Sequence, residues 1–151
     1  MSNFETLALR RFPHRALIMV AAGLMAFAVD FVAKEIAVAL EPRTLRFHVT
    51  DLRPFGLGAS LIFVAAATSL LACVVPVRLV VIGAGVALGG ALGNLASRHW
   101  WSERGGSPDF IPLADGSIAN AADFFIAFGV GTMLIGTVVW LCWTVATTRP
   151  A

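Results

Sequence analysis

Charge is scarce in this sequence: 13% of its 151 residues are Asp, Glu, Lys or Arg, whereas 58% are hydrophobic. A soluble domain typically carries about 25% charged residues, and a disordered chain needs low hydrophobicity. These two classes are therefore excluded. Four membrane spans of about 20 residues each fit this length and leave roughly 70 residues for tails and loops. We predict one small polytopic membrane domain over residues 1–151.

Cysteine and net charge are equally limited. The two cysteines, Cys73 and Cys142, lie in apolar runs and lack the spacing of a zinc site, so neither a disulfide framework nor a metal site is expected. The formal net charge of +2 is too small and too scattered to indicate a nucleic-acid partner. We expect no cofactor, no metal and no nucleic acid, with membrane lipid as a partner.

Long apolar runs predict the fold class, an all-α membrane protein with a bundle of four transmembrane helices. The arginines are divided equally between the two sides, so the orientation rests on the basic flank of the first span, which places both termini in the cytoplasm. Residues 45–52 alternate between apolar and polar side chains, which predicts a small extracytoplasmic β element in the first loop. The expected spans are residues 16–40, 54–77, 79–97 and 120–147.

Polar residues inside these spans are costly in a membrane and are therefore functional candidates. Asp30 and Lys34 are four residues apart on one helical face, within reach of an ion pair. This pair either fixes the position of the first helix or orients groups in a neighbouring site.

A second set of polar residues stands where the third span ends and the fourth begins. Asn94 and Ser97 share one helical face, and Asn120 and Asp123 share another. Because the two helices are antiparallel, the two faces are expected to meet near the extracytoplasmic interface. Their meeting makes either a functional site or interhelical hydrogen bonds of about 0.6 kcal/mol each.

Several blocks spread over nearly the whole chain match one known family. They are residues 89–98 (GGALGNLASR), 109–111 (DFI) and 120–123 (NAAD), with Asp30 and Lys34 in the first span and residues 53–56 (RPFG) after the first loop. At these positions the chain resembles signal peptidase II, the lipoprotein signal peptidase. The resemblance implies an intramembrane aspartic peptidase that cuts signal peptides from diacylglyceryl-modified prolipoproteins in the bacterial cytoplasmic (inner) membrane.

The resemblance also implies a catalytic pair of aspartates, one ending the third span and one opening the fourth. An ionised carboxylate takes a proton from water while its protonated partner polarises the scissile carbonyl. Asp123 matches the second aspartate, whereas Ser97 stands at the position of the first, and a hydroxyl cannot shuttle a proton near neutral pH without a base. Pro54 and Ala59 also depart from the family pattern, which has Asn and Phe there.

Three functions remain open. The favoured one is a non-peptidolytic pseudo-peptidase that binds lipoprotein signal peptides or lipid, or serves as an accessory subunit of a membrane complex. The second is an active aspartic endopeptidase in which Asp109, from the third loop near Asp115, supplies the missing acid. The third is a structural or ion-path subunit. The predicted catalytic positions are Asp123 and Ser97, and the predicted supporting residues are Asn94, Asn120, Arg98, Asp30, Lys34 and Asp109.

Overall fold

The computed structural model describes residues 3–48, 65–66, 69, 72–73 and 76–148. This part of the chain holds three helices that are long and apolar enough to cross a membrane. They are α1 (Asn3–Leu40, with Phe12–Leu40 as its candidate span), α2 (Arg78–Trp100) and α3 (Ala121–Thr147).

Helices α1, α2 and α3 correspond to the first, third and fourth predicted spans. The predicted second span, residues 54–77, lies largely outside the described residues, as do the 53–56 motif and Ala59. Within that span, the Ser69 hydroxyl donates to the carbonyl of Ala65, one helical turn earlier, at 2.7 Å.

Helix α1 begins well before the predicted start at residue 16. It starts at Asn3 and continues through Pro13, so the segment that precedes the predicted span is helical from Asn3 onward. Apolarity marks only the stretch that fits into lipid, whereas backbone hydrogen bonds extend through any good helix former, including Leu, Arg and Glu. The sequence argument identified the span and missed the helical extension.

Helix α2 packs between the other two helices through glycines. Gly85 and Gly89 lie against Met19 and Gly23 of α1, so closely that a Cβ on either glycine would overlap backbone atoms of α1. The opposite face of α2 carries glycines in similar contact with α3. Small residues let helix backbones approach closely in a membrane, where dispersion contacts replace the hydrophobic effect between helices.

Two small antiparallel sheets connect the helices at one end of the bundle. The first pairs β1 (Arg46–His48) with β2 (Ser107–Asp109), so that Arg46 is opposite Asp109 and His48 is opposite Ser107. Strand β1 lies within the segment 45–52, of which residues 49–52 are outside the described part. The sequence argument missed β2, which pairs with a strand about sixty residues earlier.

The second sheet is a hairpin of β3 (Ile111–Pro112) and β4 (Ile118–Ala119). Its turn is closed by the carboxylate of Asp115, which accepts from the backbone N–H of Ser117 at 3.0 Å and from its hydroxyl at 2.7 Å. Gly116 supplies the positive φ of 86° that this turn requires. The hairpin returns the chain from Asp109 to the start of α3.

Candidate active site

A polar pocket of about 220 Å³ lies where α2, α3 and the paired strands β1 and β2 meet. Five of the predicted site residues line it, whereas Asp30, Lys34 and Ser97 are fully buried and are not among its lining residues. The lining residues are His48, Asn94, Arg98, Ser107, Asp109, Asn120 and Asp123.

Asp109 is carried into this pocket by the strands on either side of it. It ends β2, and the next residue donates its backbone N–H to the carbonyl of Ala119 at 3.0 Å. The hairpin thereby brings Asn120 alongside, and the Asn120 side-chain N–H donates to Oδ1 of Asp109 at 2.6 Å. Burial raises the pKa of Asp109 above its ordinary value; the Asn120 hydrogen bond opposes this rise, and the charge of Asp123 adds to it.

Asp123 is held at the start of α3 by a reciprocal cap. Its Oδ2 accepts from the backbone N–H of Asn120 at 3.0 Å, and its own N–H donates to Oδ1 of Asn120 at 3.3 Å. Its Oδ1 accepts from the side-chain Nδ2 of Asn94 at 2.9 Å. Both oxygens of Asp123 therefore accept N–H hydrogen bonds.

Behind the pocket lies a buried network around Lys34. The ammonium donates to Oδ2 of Asp30 at 2.7 Å, to Oδ1 of Asn94 at 2.8 Å and to Oγ of Ser97 at 3.0 Å. The second oxygen of Asp30 accepts from the backbone N–H of Ala122 in α3 at 2.8 Å. A lysine has three donors and no acceptor, so its hydrogen-bonding capacity is fully used and the network joins all three helices.

Ser97 belongs to this buried network. Its side chain has no exposed area, its Oγ donates to the carbonyl of Gly93 at 2.6 Å, and the same atom accepts from Lys34. Asn94 and Ser97, which share a helical face, therefore differ in role: Asn94 reaches the pocket and Ser97 does not.

Arg98 lines the pocket with a free donor. Its Nε is buried and has no hydrogen-bond partner within the described part of the chain. Asp115, by contrast, is exposed at the hairpin tip and is not a lining residue. Of the acids in the third loop, only Asp109 is among the lining residues.

The sequence argument did not identify His48 and Ser107 as pocket residues. His48 lies on the polar side of the alternating segment 45–52. This position would have indicated a pocket residue only if the partner of the predicted strand had also been known. Ser107 had no such signal, because β2 was not predicted; its hydroxyl donates to Oδ1 of Asn94 at 3.4 Å. Among the described residues, no three His, Cys, Asp or Glu side chains are grouped as metal ligands.

The pocket thus contains two carboxylates in different surroundings. One accepts N–H donors at both oxygens, and the other has a raised pKa and accepts at one oxygen only. Two acids in different surroundings can share general acid–base chemistry on a bound peptide and a water molecule.

Comparison with known proteins identifies the family. The model of the family described as Signal peptidase (SPase) II matches residues 23–139, a stretch that contains every lining residue of the pocket. No curated protein and no solved structure matches the chain significantly. The match confirms the resemblance found in the sequence, and together with the apolar helices it indicates a multi-pass membrane protein. The chain belongs to the signal peptidase II family.

Proposed function

We propose that the protein is an active aspartic endopeptidase that cleaves signal peptides from lipid-modified prolipoproteins, with Asp109 and Asp123 as its catalytic pair. The observation that carries this proposal is that both carboxylates line one pocket. It is the second of the three functions left open by the sequence, and the geometry supports it better than the favoured non-peptidolytic one.

The two acids take different roles in this proposal. Asp123, with N–H donors at both oxygens, is the base that removes a proton from water as the water oxygen bonds to the scissile carbonyl carbon. Asp109, whose pKa is raised by burial, is the acid. No hydrogen bond from the described residues reaches its Oδ2. In this proposal Oδ2 carries the proton that Asp109 gives to the carbonyl oxygen.

The second half of the reaction returns the protons. The tetrahedral intermediate collapses as Asp109 takes back the hydroxyl proton, and Asp123 delivers its proton to the departing amine. The peptide C–N bond breaks, one water is consumed, and both acids regain their starting states. Arg98 Nε, a buried donor with no partner among the described residues, is available to a carbonyl oxygen of the bound peptide.

The serine at position 97 is the main argument for the non-peptidolytic alternative. In the structure its hydroxyl is engaged by Lys34 and by the carbonyl of Gly93, away from the pocket. A hydroxyl at that position therefore removes no acid from the pocket. The other two departures from the family pattern, Pro54 and Ala59, lie outside the described residues.

The membrane setting follows from the family and from the aromatic residues near the pocket. Trp100, 66% exposed, ends α2, and Phe31 of α1 packs against both Trp100 and Trp101. Such residues favour the membrane–water interface. We propose that this end faces the extracytoplasmic side of the bacterial cytoplasmic membrane, with the termini in the cytoplasm and lipid and lipoprotein signal peptides as partners.

The test is cleavage of a lipidated prolipoprotein by the purified protein in detergent, with release of the signal peptide as the readout. Asp109→Asn and Asp123→Asn are each expected to abolish cleavage. Asp115→Asn is the matched control, an acid in the same loop outside the pocket, and is expected to cleave like the wild type. A folded wild type that does not cleave, or cleavage that survives in Asp109→Asn, contradicts the proposal; cleavage gained only in Ser97→Asp supports the non-peptidolytic alternative.

A further inference from the structure

We propose that Lys34 is a positioning residue for Asp123 and that it acts by fixing the orientation of the Asn94 side-chain amide between them. The inference rests on the proposed function and adds to it a residue that does not touch the substrate. Lys34 is on α1, Asn94 on α2 and Asp123 on α3, so the chain of contacts crosses the bundle.

The Lys34 ammonium and the Asp123 carboxylate, which lie on either side of Asn94, have opposite hydrogen-bonding properties. An ammonium only donates, and an ionised carboxylate only accepts. A side-chain amide has an acceptor oxygen at one end and a donor NH₂ group at the other. Rotating it by 180° exchanges the two groups and leaves its volume unchanged. With Lys34 at 2.8 Å on one side, the carbonyl oxygen of Asn94 must face the ammonium, and its NH₂ group is thereby directed to Asp123 at 2.9 Å.

The position of Lys34 is itself closely determined. Its side chain has no exposed area and its ammonium is bound by Asp30 and Ser97 as well as by Asn94. Water therefore cannot take the place of any of these partners. Removing the ammonium frees the Asn94 amide to rotate, and its oxygen then repels the carboxylate of Asp123.

A purely structural role for the Asp30–Lys34 pair makes a different prediction. Asp30 also accepts from the N–H of Ala122, next to Asp123, so the pair holds α3 in place as well. If that were its only contribution, loss of the pair and loss of the Asn94 amide would lower kcat by separate factors that multiply in the combined variant. If Lys34 acts through Asn94, the two losses overlap.

A double-mutant cycle separates the two cases. Lys34→Met alone would leave the Asp30 charge buried and unpaired, so the variant is Asp30→Asn combined with Lys34→Met, which is neutral throughout. This double variant is compared with Asn94→Ala and with the variant that carries all three substitutions. The kcat and KM for signal-peptide release are measured for each. Each is expected to lower kcat by about 100-fold, since misplacement of a catalytic group by about 1 Å has that effect, with KM nearly unchanged.

The combined variant is expected to lose no more than Asn94→Ala alone. A loss equal to the product of the two separate losses overturns the inference while leaving the proposed function intact. A folded wild type that does not cleave refutes the proposed function and this inference with it.

A second variant keeps the inference testable if the neutral pair fails to fold. Asn94→Asp retains an acceptor for Lys34 but presents no donor to Asp123, so it is expected to lose as much kcat as Asn94→Ala. Full activity of a folded Asn94→Asp shows that the direction of the amide is immaterial and refutes the role assigned to Lys34.

Discussion

Gly93 lies directly against the buried carboxylate of Asp30, and the substitution Gly93→Ala is expected to disturb the network behind the pocket. A Cβ on Gly93 would lie 2.5 Å from Oδ2 of Asp30, whereas ordinary van der Waals contact begins at 3.4 Å. The carboxylate must therefore withdraw. The same Oδ2 accepts the 2.7 Å hydrogen bond from Lys34, and Oδ1 accepts from Ala122 at 2.8 Å, so withdrawal breaks or stretches at least one of them.

The magnitude follows from the burial of Asp30. Its side chain has no exposed area, so no water replaces a lost hydrogen bond, and a hydrogen bond to a charged group contributes about 1.5–3 kcal/mol. Against this stands a gain of about 1 kcal/mol from replacing glycine by alanine in a helix. The free energy of unfolding is expected to fall by about 0.5–2 kcal/mol, the difference between these two contributions.

Gly131→Ala is the matched control. Gly131 is also helical, in α3, and a Cβ there would meet nothing within 4 Å, so only the helix gain of up to about 1 kcal/mol remains. Thermal unfolding of both variants in one detergent, with signal-peptide release measured alongside, is the assay. We expect a lower melting temperature and reduced cleavage for Gly93→Ala alone. Equal stability and activity of the two variants would refute the tight packing of Asp30 against α2.

Three further outcomes are expected. Ser97→Asp adds a carboxylate to a buried pair that is already neutral, so the melting temperature in detergent is expected to fall with no gain in cleavage; a gain would contradict the assignment of Asp109. In the proposed mechanism Asp109 acts in its protonated form, and burial raises its pKa; kcat is therefore expected to decline as the pH rises through that raised value, which a pH–rate profile tests. Asn120→Ala removes a hydrogen bond that lowers the pKa of Asp109, so the alkaline limb of that profile is expected to move to higher pH. The same substitution removes the cap of α3 and is expected to lower the unfolding free energy by about 1 kcal/mol. An unmoved limb contradicts the role of Asp109 as the acid.

The features that the sequence predicted well are local ones. The four-residue spacing of Asp30 and Lys34 predicted an ion pair, and the two side chains form one at 2.7 Å. The residue block at the end of α2 indicated the family, which the family model confirms over residues 23–139. Both signals depend on neighbours within one helix, so they are readable without knowledge of the tertiary structure.

The place of Asp109 could not be derived in this way. It depends on the pairing of β1 with β2, about sixty residues apart, and on the hairpin that returns the chain to Asn120. Strands of two or three residues carry too little periodicity to be recognised. The sequence therefore left Asp109 as one alternative in an undefined loop.

The rotation of α2 about its own axis could not be predicted from the sequence either. Three residues along an α-helix advance by about 300°, so Asn94 and Ser97 point about 60° apart. Both side chains accept from the buried ammonium of Lys34, but only Asn94 also lines the pocket. Periodicity shows that two residues share a face, but it does not show which neighbour each of them meets.

The contact between Asp30 and Ala122 has a consequence for biosynthesis. The carboxylate leaves the ribosome 92 residues before the N–H group that it finally binds, so this oxygen lacks that donor until α3 is in place. Such a group is costly in lipid. A chain interrupted before α3 therefore lacks the donor that satisfies this oxygen of Asp30.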